Sequence, residues 1–507
     1  MKYLVALFVQ VTLITTPLFS AETINIAISS SPNNLVPFYS TDANSQNINR
    51  LVHTSLVDFN ETMQFVCIAC EKYQESMLGA KHAFTFDLKK NLTFSDGSPV
   101  TAEDVVASYN YFAKNTDIKS TFMGAYESIE EIKILDRFRV QIVYKNFSLE
   151  NLSNLSLLKI VKIKDKNLSA LDVKDVLGAG EYTLSKVTPL EITAVPRDTN
   201  KSILVFKVVK DETTLALKLI NKEIDLSVAS LSPRKVNWIR DQKNIRVLER
   251  PSGNFQFIGI NHKREKFKDI RVRKALSLLL PREDILKYKL KDTAVLSVGM
   301  FSPAFKDYYE PAQVDKHDLE TAKKLLQEAG WVKNKNGLLE KDGKIFEIDW
   351  KVSNNKASIE IVEVFENYLE KEGIKVNITV QEWGTYMSAY KAGQFDIVVG
   401  QWIGFTGPDM LSFIFHTKNA PPKGGNRIGY SNPKVDELLD LATVETNETK
   451  RTNLYKNVLR MVNEDYAYIN LWHPSIIWIS RDCLTPIELE SSGSFYPLLK
   501  LEKHCGK

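Results

Sequence analysis

The stretch FTFDLKKNLTFSDGSPVTAEDVV, residues 84–106, predicts two strands, a tight turn and the start of a helix. Apolar and polar residues alternate over residues 84–88 and again over 91–94, the period of two expected when one face of a sheet is buried. Asp96-Gly97 predicts a turn after the second strand, because glycine accepts a positive φ without a Cβ clash. The stretch therefore predicts two strands and a turn that lead into a helix.

The helix is predicted to begin after Thr101 and to run to about Phe112. The Thr101 hydroxyl can cap free amide groups of the first turn, and the carboxylate of Asp104 favours the positive end of the helix dipole. These features define a corner between strand and helix and assign no chemistry. Evidence for function must come from the rest of the chain.

The chain has 507 residues, more than a single hydrophobic core usually serves, so two or more lobes are expected. Hydrophobic residues make up 44% and charged residues 25%, as in ordinary soluble globular proteins. The net charge of +4, from 66 basic and 62 acidic residues, gives no strong field. Nucleic acid and membrane surfaces are therefore not expected as partners.

The first twenty residues are typical of a secretory signal peptide. They contain one lysine, an apolar run over residues 3–13, and Pro17 before small residues. Cleavage is expected after Ser20, with Ala21 as an alternative, and no cysteine at that junction indicates a lipid anchor. The mature protein is expected in an envelope compartment, since no later apolar run approaches the roughly 20 residues of a membrane helix.

Four cysteines follow the signal peptide, and an oxidising compartment permits disulfides between them. Four cysteines allow three connectivities, and the sequence leaves the choice among Cys67, Cys70, Cys483 and Cys505 open. The Cys67–Cys70 spacing also occurs in redox and zinc motifs. A structural role is preferred here, because no second pair follows and the region is hairpin-like rather than βαβ. A Cys483–Cys505 pair would fasten the C-terminal tail.

Helices and strands alternate in the second half of the chain, which predicts an α/β lobe. The helix that begins at Asp269 has one apolar stripe and ends at Pro281, with Arg271 and Arg273 expected on a solvated or ion-paired face. The later predicted elements are a helix over 318–330 that ends at a C′ glycine, a helix over 358–371, a strand over 374–380, a short helix over 386–392 and a buried strand over 395–399.

Several of these motifs, in this order, resemble the periplasmic solute-binding proteins of oligopeptide and dipeptide ABC transporters, the family 5 or cluster C proteins. The resemblance runs from about residue 23 to about residue 485. Each motif lies on a different secondary-structure element. The evidence for the resemblance is therefore that the motifs occur in the same order as in the family. The motifs are LTFSDGSPVTAEDVVASYNYF (92–112), GAGEY (178–182), TTLALKLINKEIDL (213–226), FQFIGIN (255–261) with FKDIRVRKAL (267–276), and AKKLLQEAG (322–330).

The resemblance implies an α/β protein of the periplasmic-binding-protein-like type II fold. Such a protein has two lobes with an extra subdomain, and mixed β-sheets flanked by helices. The chain is expected to cross between the lobes near Asn254 and Trp472. The implied divisions are a signal peptide over 1–20, lobe I over 21–50, 177–254 and 472–507, the extra subdomain over 51–176, and lobe II over 255–471.

The resemblance also implies a ligand site around residues 400–415. In the family a tryptophan follows a strand, and an aspartate three residues later pairs with the α-ammonium group of the ligand. Trp402 matches the tryptophan, whereas Phe405 stands in the place of the aspartate. Phe405 offers ring area to apolar groups or a cation–π contact, where an ammonium would need a carboxylate.

Further ligand-contact residues are expected on both lobes. Gln401 and Ile403 flank the tryptophan and would offer backbone hydrogen bonds to an extended ligand. Asp409 could replace the missing carboxylate or could simply be a charge at a helix N-terminus. On lobe I the resemblance places the ligand-pairing backbone at Thr41, Asp42 and Ala43.

The implied function is that of an extracytoplasmic receptor, which captures a peptide-like or other small solute and delivers it to the permease of an ABC importer. It requires no covalent chemistry and no cofactor, and a monomeric protein in the periplasm is expected. Two alternatives stay open: a receptor for a metal chelate or signalling ligand, and an envelope hydrolase. No nucleophile-elbow, zinc-protease or phosphate-loop motif occurs, and the seven histidines show no metal-ligand spacing.

Overall fold

The computed structural model describes residues 22–40, 42–60, 63–79, 81–114, 128–148, 150–163, 173, 176–229, 231–310, 315–403, 407–408, 410–421 and 424–505. The predicted signal peptide and three of the predicted site residues, Thr41, Phe405 and Asp409, lie outside the described residues. The fold and the site are built below from the residues that are described.

Strands and α-helices are distributed along the whole of the described chain. The strands are β1 Thr23–Ile28, β2 Thr54–Ser55, β3 Val57–Phe59, β4 Phe65–Cys67, β5 Cys70–Leu78, β6 Lys81–Leu88, β7 Ile129–Asp136, β8 Arg139–Tyr144, β9 Lys159–Ile160, β10 Tyr182–Val187, β11 Glu191–Pro196, β12 Ile203–Val208 and β13 Leu226–Ser227. They continue as β14 Ile245–Pro251, β15 Phe255–Ile260, β16 Ala294–Leu296, β17 Val332–Lys333, β18 Leu339–Lys341, β19 Lys344–Ile345, β20 Glu347–Ser353, β21 Lys375–Gln381, β22 Ile397–Trp402 and β23 Tyr468–Arg481. The helices are α1 Ala43–Val52, α2 Ala102–Lys114, α3 Glu150–Asn154, α4 Glu212–Ile220, α5 Pro233–Arg240, α6 Glu265–Lys268, α7 Ile270–Leu279, α8 Arg282–Asp284, α9 Leu319–Glu328, α10 Lys356–Lys371, α11 Trp383–Lys391, α12 Met410–Phe415, α13 Pro433–Val444 and α14 Glu448–Glu464.

The stretch quoted first forms one strand, a turn and a helix. Strand β6 pairs with β5 and β8 in a four-stranded sheet, with Phe84, Phe86 and Leu88 buried, as predicted. The second predicted strand, over 91–94, is wrong. The chain there makes a single bridge to Pro99, because it folds back at once and proline has no amide hydrogen with which to extend a ladder.

The start of α2 uses the two predicted residues, Thr101 and Asp104. The capping side chain is that of Asp104, and not that of Thr101 as predicted. The carboxylate of Asp104 accepts hydrogen bonds from both the backbone amide and the hydroxyl of Thr101, at 2.8 and 2.7 Å. The residue three positions into the helix thus reaches back to the residue that precedes it, which is half of a capping box. This contact fixes the angle at which the helix leaves the turn.

One strand links the two lobes. Strand β23 has 14 residues and lies in the middle of a 12-stranded mixed sheet. Its first half pairs with β15 and β16, and its second half pairs with β13 and β14. The chain passes between the two halves of the sheet within β23 and at residues 252–254. The predicted two-lobed α/β fold with mixed sheets flanked by helices is confirmed, while the lobe boundaries stay a prediction.

Separate hydrophobic cores lie beside the sheets. One face of the β15–β22–β20–β21 sheet packs against α7, α9 and α10, and the opposite face packs against α11 to α14. The subdomain has its own core between its four-stranded sheet and α2, and lobe I has two further cores. The second lobe II core includes Phe59 and Met63 of the subdomain, so subdomain and lobe II are in direct contact.

Arg273 corrects one prediction. Arg271 is exposed and pairs with Asp269 at 2.6 Å, as expected for a solvated or ion-paired face. Arg273, in contrast, is buried and donates hydrogen bonds to the carbonyl oxygens of Phe267, Lys268 and Asp465. The C-terminal carbonyls of two helices converge on this position, and a guanidinium group satisfies several of them together.

Two close approaches explain the glycines of the GAGEY turn. A Cβ atom on Gly178 would lie 2.1 Å from the carbonyl oxygen of Val52, and one on Gly180 would lie 2.3 Å from that of Leu51. The end of α1 therefore packs directly on the turn backbone. Glycine is required at both positions because the two main chains are in contact.

Each of the two disulfides joins a cysteine to the next cysteine along the chain. Cys67 pairs with Cys70, and Cys483 pairs with Cys505. The first closes the connection between β4 and β5, and the second fastens the C-terminal tail, as expected. Among the residues that the structure describes, no cysteine is free.

Candidate ligand-binding site

A cavity of about 570 Å³ lies between the subdomain and lobe II. Strands β5 and β6 form one wall, and lobe II segments around residues 305–308 and 446–451 form the other. The lining residues are Met63, Gln64, Phe65, Tyr73, Glu75, His82, Phe84, Leu152 and Ser153 on the subdomain, and Phe305, Lys306, Asp307, Tyr308, Gly407, Pro408, Thr446, Glu448 and Arg451 on lobe II. A volume of this size suits a small organic solute.

The subdomain wall presents a carboxylate held by a histidine. His82 Nδ1 accepts from the Asn151 side-chain amide at 3.1 Å, so Nε2 carries the proton and donates to Glu75 at 2.9 Å. This hydrogen bond is the main cause of the lowered pKa of Glu75; burial opposes it, and the charge of Arg451 adds to it. Glu75 is therefore an oriented carboxylate at the cavity wall.

The lobe II wall presents groups of both charges. Arg451 lies one turn into α14, donates to the Glu445 carbonyl oxygen at 3.0 Å, and reaches across to the Phe147 ring of the subdomain at 5.7 Å. Lys306, Asp307 and Glu448 also line this wall. Acidic, basic and aromatic side chains together suit a solute that carries charges of both signs on a partly apolar body.

The predicted site segment reaches this cavity through its loop. Gly407 and Pro408, a few residues beyond the end of β22, line the cavity. Alternation along β22 exposes Gln401 and Ile403, with Ile403 at 72% exposure, and turns Trp402 toward the core at 9%. Gln401 and Ile403 are therefore exposed at the carboxyl end of β22, a strand that runs parallel to β20 and antiparallel to β15.

Trp402 is largely a core residue. Its ring stacks on Phe257 and meets Phe413 edge-on, both at 6.3 Å between centroids. Its remaining face lies under the Arg427 guanidinium group, 5.3 Å from the ring centroid. A direct ligand contact for Trp402 stays a prediction, and Arg427 enters as a neighbour that the sequence analysis did not single out.

The Asp42 side chain already accepts hydrogen bonds within lobe I. It is the N-cap of α1, where it accepts from the Ser45 amide at 3.0 Å, from the Asn33 amide at 2.9 Å, and from the Ser45 hydroxyl. Burial acts to raise the pKa of Asp42, but these hydrogen bonds outweigh it and leave the pKa below its usual value. Ala43 begins the helix. Neither residue lines the cavity, so the predicted lobe I contacts stay a prediction.

Sequence reasoning missed the subdomain wall. Glu75 and His82 of this wall, and Arg451 of the facing lobe II wall, lie in no motif of the resemblance. The available signal was alternation: Tyr73 and Glu75 fall on the same face of β5, and His82 and Phe84 fall on one face of β6. Only the pairing of the strands shows that these faces meet lobe II.

Within the described residues no group of three or more histidine, cysteine, aspartate or glutamate side chains is placed to hold a metal ion. Among the helices of those same residues, none combines the length and hydrophobicity that a membrane crossing requires.

A two-lobed α/β fold with a solute-sized cavity between its subdomain and lobe II is typical of solute-binding proteins. A family model described as "Bacterial extracellular solute-binding proteins, family 5 Middle" matches residues 79–423. Since that match covers more than half of the sequence, the chain belongs to family 5 of the bacterial extracellular solute-binding proteins.

Individual relatives agree with this assignment. The chain is 26% identical to the oligopeptide-binding protein AppA of Bacillus subtilis over 459 residues, which cover 86% of this chain and 83% of AppA. It is 25% identical to the dipeptide-binding protein of Escherichia coli over 492 residues, 89% of this chain and 88% of the relative. The structure of NikA from Brucella suis in complex with Fe(III)-EDTA superposes with a TM-score of 0.82 at 21% identity, covering 95% of this chain and 99% of NikA.

Proposed function

We propose that this protein captures a peptide-like solute between its lobes outside the cytoplasm and delivers it to the permease of an ABC importer. The observation that carries the proposal is the cavity between subdomain and lobe II, with Glu75 on one wall and Arg451 on the other. Opposite charges on facing walls suit the two termini of a short peptide. The names of the oligopeptide- and dipeptide-binding relatives support the same solute class.

The proposed mechanism is a shift in the population of two lobe arrangements. A solute that touches both walls of the cavity binds the closed arrangement more tightly than the open one, and so stabilises closure by that difference. Closure then creates the surface that the permease recognises. The protein acts as a monomer and performs no bond chemistry, since binding and release are sufficient for delivery.

The proposal includes the route to the envelope. Residues 1–20 serve as a cleaved signal peptide, and the mature protein is periplasmic without a lipid anchor, because no cysteine stands at the cleavage junction. Mass spectrometry of the mature protein from its own envelope fraction tests this directly. A mass that retains residues 1–20, or that includes an acyl chain, would contradict it.

The binding experiment uses randomised dipeptide and tripeptide pools. Thermal unfolding should shift upward with at least one pool, and small-angle scattering should show a decrease in the radius of gyration. Glu75→Gln and Arg451→Gln should each weaken binding, since each removes one charge from a cavity wall. Arg460→Gln is the matched control, because Arg460 lies on the same helix as Arg451, is 62% exposed and does not line this cavity. No shift with any pool would count against the proposed function.

A further inference from the structure

Glu75 and His82 are diagonal neighbours on two paired strands of the subdomain. Glu75 of the edge strand β5 pairs with Phe84 of β6, and Met77 pairs with His82, so the four side chains lie on one face of the sheet. The Glu75 side chain is 48% exposed and lines the cavity, whereas His82 is buried. An accessible carboxylate is therefore held by a ring that solvent barely reaches.

The Asn146 carbonyl oxygen determines which nitrogen of His82 carries the proton. The Asn151 side-chain nitrogen donates to this carbonyl oxygen at 3.1 Å and lies 3.1 Å from His82 Nδ1. Because a carbonyl oxygen can only accept, the Asn151 amide must turn its two hydrogens toward these partners. His82 Nδ1 is therefore an acceptor, and the proton on Nε2 is donated to Glu75 Oε1 at 2.9 Å.

Aromatic packing holds the His82 ring in this orientation. Its centroid lies 4.5 Å from that of Phe84 and 4.7 Å from that of Phe147. Rotation of the ring would break the hydrogen bonds of both nitrogens and disturb this packing. A glutamate side chain facing solvent otherwise samples many rotamers, so the fixed donor at His82 restricts the orientations that the Glu75 carboxylate can take.

The second oxygen of Glu75 is available to a solute. Within the described part of the chain, His82 is the one hydrogen-bond partner of Glu75, and Oε1 alone accepts from it. The His82 hydrogen bond is the main cause of the lowered pKa of Glu75, and the charge of Arg451 contributes. Arg451 itself donates to the Glu445 carbonyl oxygen, and no ion pair joins it to Glu75. Glu75 Oε2 can therefore accept from a donor that enters the cavity.

The charge around Glu75 favours a cationic donor. Burial is the main cause of the raised pKa of Tyr73, and the charges of Glu75 and Glu448 add to it, so both carboxylates lie near the Tyr73 hydroxyl. Negative charge from the two walls thus meets at this end of the cavity, where it favours an ammonium group. The described lining residues that carry charge are three carboxylates and two basic side chains, namely Glu75, Asp307, Glu448, Lys306 and Arg451.

We propose that His82 is the positioning residue of an ammonium subsite, in which it holds Glu75 so that Oε2 accepts from a positively charged amino group of the solute. This inference rests on the proposed function and names the residue on which selectivity for a free amino group depends. His82 acts through Glu75 and does not touch the ammonium group. Without the His82 hydrogen bond the carboxylate keeps its charge, but it must be ordered on binding, which costs affinity.

The test compares two forms of one randomised tripeptide pool by calorimetric titration, one with free amino ends and one with acetylated amino ends. Wild-type protein should bind the acetylated pool about tenfold more weakly, since acetylation removes the charged donor. His82→Phe keeps an aromatic ring and loses the donor, so it should bind the free pool about fivefold more weakly and the acetylated pool unchanged. His504→Gln is the control, because His504 is 66% exposed and does not line the cavity.

Coupling between His82 and Glu75 separates positioning from a purely structural role. The double variant Glu75→Gln with His82→Phe should bind the free pool as Glu75→Gln alone does, because His82 acts only through the carboxylate. A structural histidine would instead add its own loss and would weaken binding of both pools. His82→Gln should restore part of the preference for the free pool, since its amide can accept from Asn151 and donate to Glu75.

Equal binding of the two pools by wild-type protein would overturn the inference and leave the proposed function intact. Equal losses with both pools in His82→Phe would overturn it as well. Binding of neither pool by wild-type protein would instead remove the proposed function, and the inference with it. If His82→Phe fails to fold, Glu75→Asp decides: it keeps the charge but is one methylene too short to reach His82, and an undiminished preference for the free pool would overturn the role of His82.

Discussion

His473 Nδ1 donates a hydrogen bond to the carbonyl oxygen of Asn254 at 2.9 Å, and so joins the two segments through which the chain passes between the lobes. His473 lies on β23 and is 1% exposed, and its ring packs against Phe255 at 5.7 Å. Because the backbone carbonyl can only accept, Nδ1 holds the proton of the neutral ring. Protonation at Nε2 would place an uncompensated charge between the lobes.

Lowering the pH from about 7 to about 5 is expected to decrease the free energy of unfolding. Burial is the main cause of lowered pKa values in three histidines, to about 3 in His53 and about 4 in His262 and His473. The unfolded chain gains protons at these residues below its pKa of about 6.5, while the folded protein does not, so stability is lost from that pH down to the folded pKa. Each histidine contributes a slope of up to about 1.4 kcal/mol per pH unit, measurable by urea unfolding across this range.

The control for this pH dependence is a pair of variants. His473→Gln should reduce the slope, because one of the three buried rings no longer titrates in the unfolded chain. His504→Gln should leave it unchanged, since the His504 side chain is 66% exposed. Equal slopes in wild-type protein and His473→Gln would show that this ring does not contribute.

Asp58→Asn is expected to destabilise the protein by about 3–5 kcal/mol, the usual cost when one partner of a buried ion pair is removed. Asp58 is 2% exposed and accepts from Arg50 Nε at 3.0 Å and Tyr496 Oη at 3.1 Å, with Lys159 Nζ at 3.7 Å. Desolvation already lowers the pKa of Lys159 to about 8, and Asp58 opposes that effect. Urea unfolding measures the loss.

Glu265→Gln provides the comparison for Asp58. Glu265 pairs with Lys268 at 2.6 Å, but its side chain is 87% exposed and solvent screens the pair, so the change should cost far less than the loss of Asp58. Similar losses of unfolding free energy in the two variants would mean that burial does not increase the contribution of the Asp58 ion pairs.

Gly178→Ala is expected to destabilise the protein by about 1–3 kcal/mol, the range for an atom forced into a packed site. The new methyl group would lie 2.1 Å from the Val52 carbonyl oxygen and 2.4 Å from His53 Nδ1, so the end of α1 would have to move. Gly384→Ala is the matched substitution, because its nearest neighbour is a flexible Glu382 oxygen at 3.2 Å. Thermal unfolding should separate the two variants, and equal midpoints would contradict the packing argument.

Removing the Cys483–Cys505 disulfide with paired serine substitutions is expected to cost roughly 3 kcal/mol, given its sequence separation of 22. The Cys67–Cys70 disulfide spans a separation of 3, so its removal should cost roughly half as much in the chain-entropy account. Denaturant unfolding of both double variants gives the comparison. A larger loss from the Cys67–Cys70 pair would show that local geometry outweighs loop closure.

Local rules predicted the elements of this fold well. Asp269 and Asp318 cap α7 and α9 as expected, and Gly330 adopts a positive φ of 90° just past its helix. Capping and helix-end glycine depend on residues a few positions apart, so the sequence contains all the information required. The same holds for the period-two pattern of β6, where neighbours in the chain define the buried face.

Contacts between distant segments could not be predicted in the same way. Arg273 was placed on an open face because nothing near it in the sequence shows that the end of α14 comes to lie beside it. The contact of Arg427 with the Trp402 ring likewise joins residues that are distant from any common motif in the sequence. The subdomain wall of the cavity depends on how β5 and β6 face lobe II, which the pattern of either strand leaves undetermined.

The shared strand β23 also makes each lobe an incomplete folding unit. Its first half supplies the partner of β15 and β16, and its second half supplies the partner of β13 and β14. A fragment that ended before residue 468 would leave the edge of β15 open to pairing with other chains, which is a route to aggregation. Neither lobe could therefore be produced or exchanged without the other.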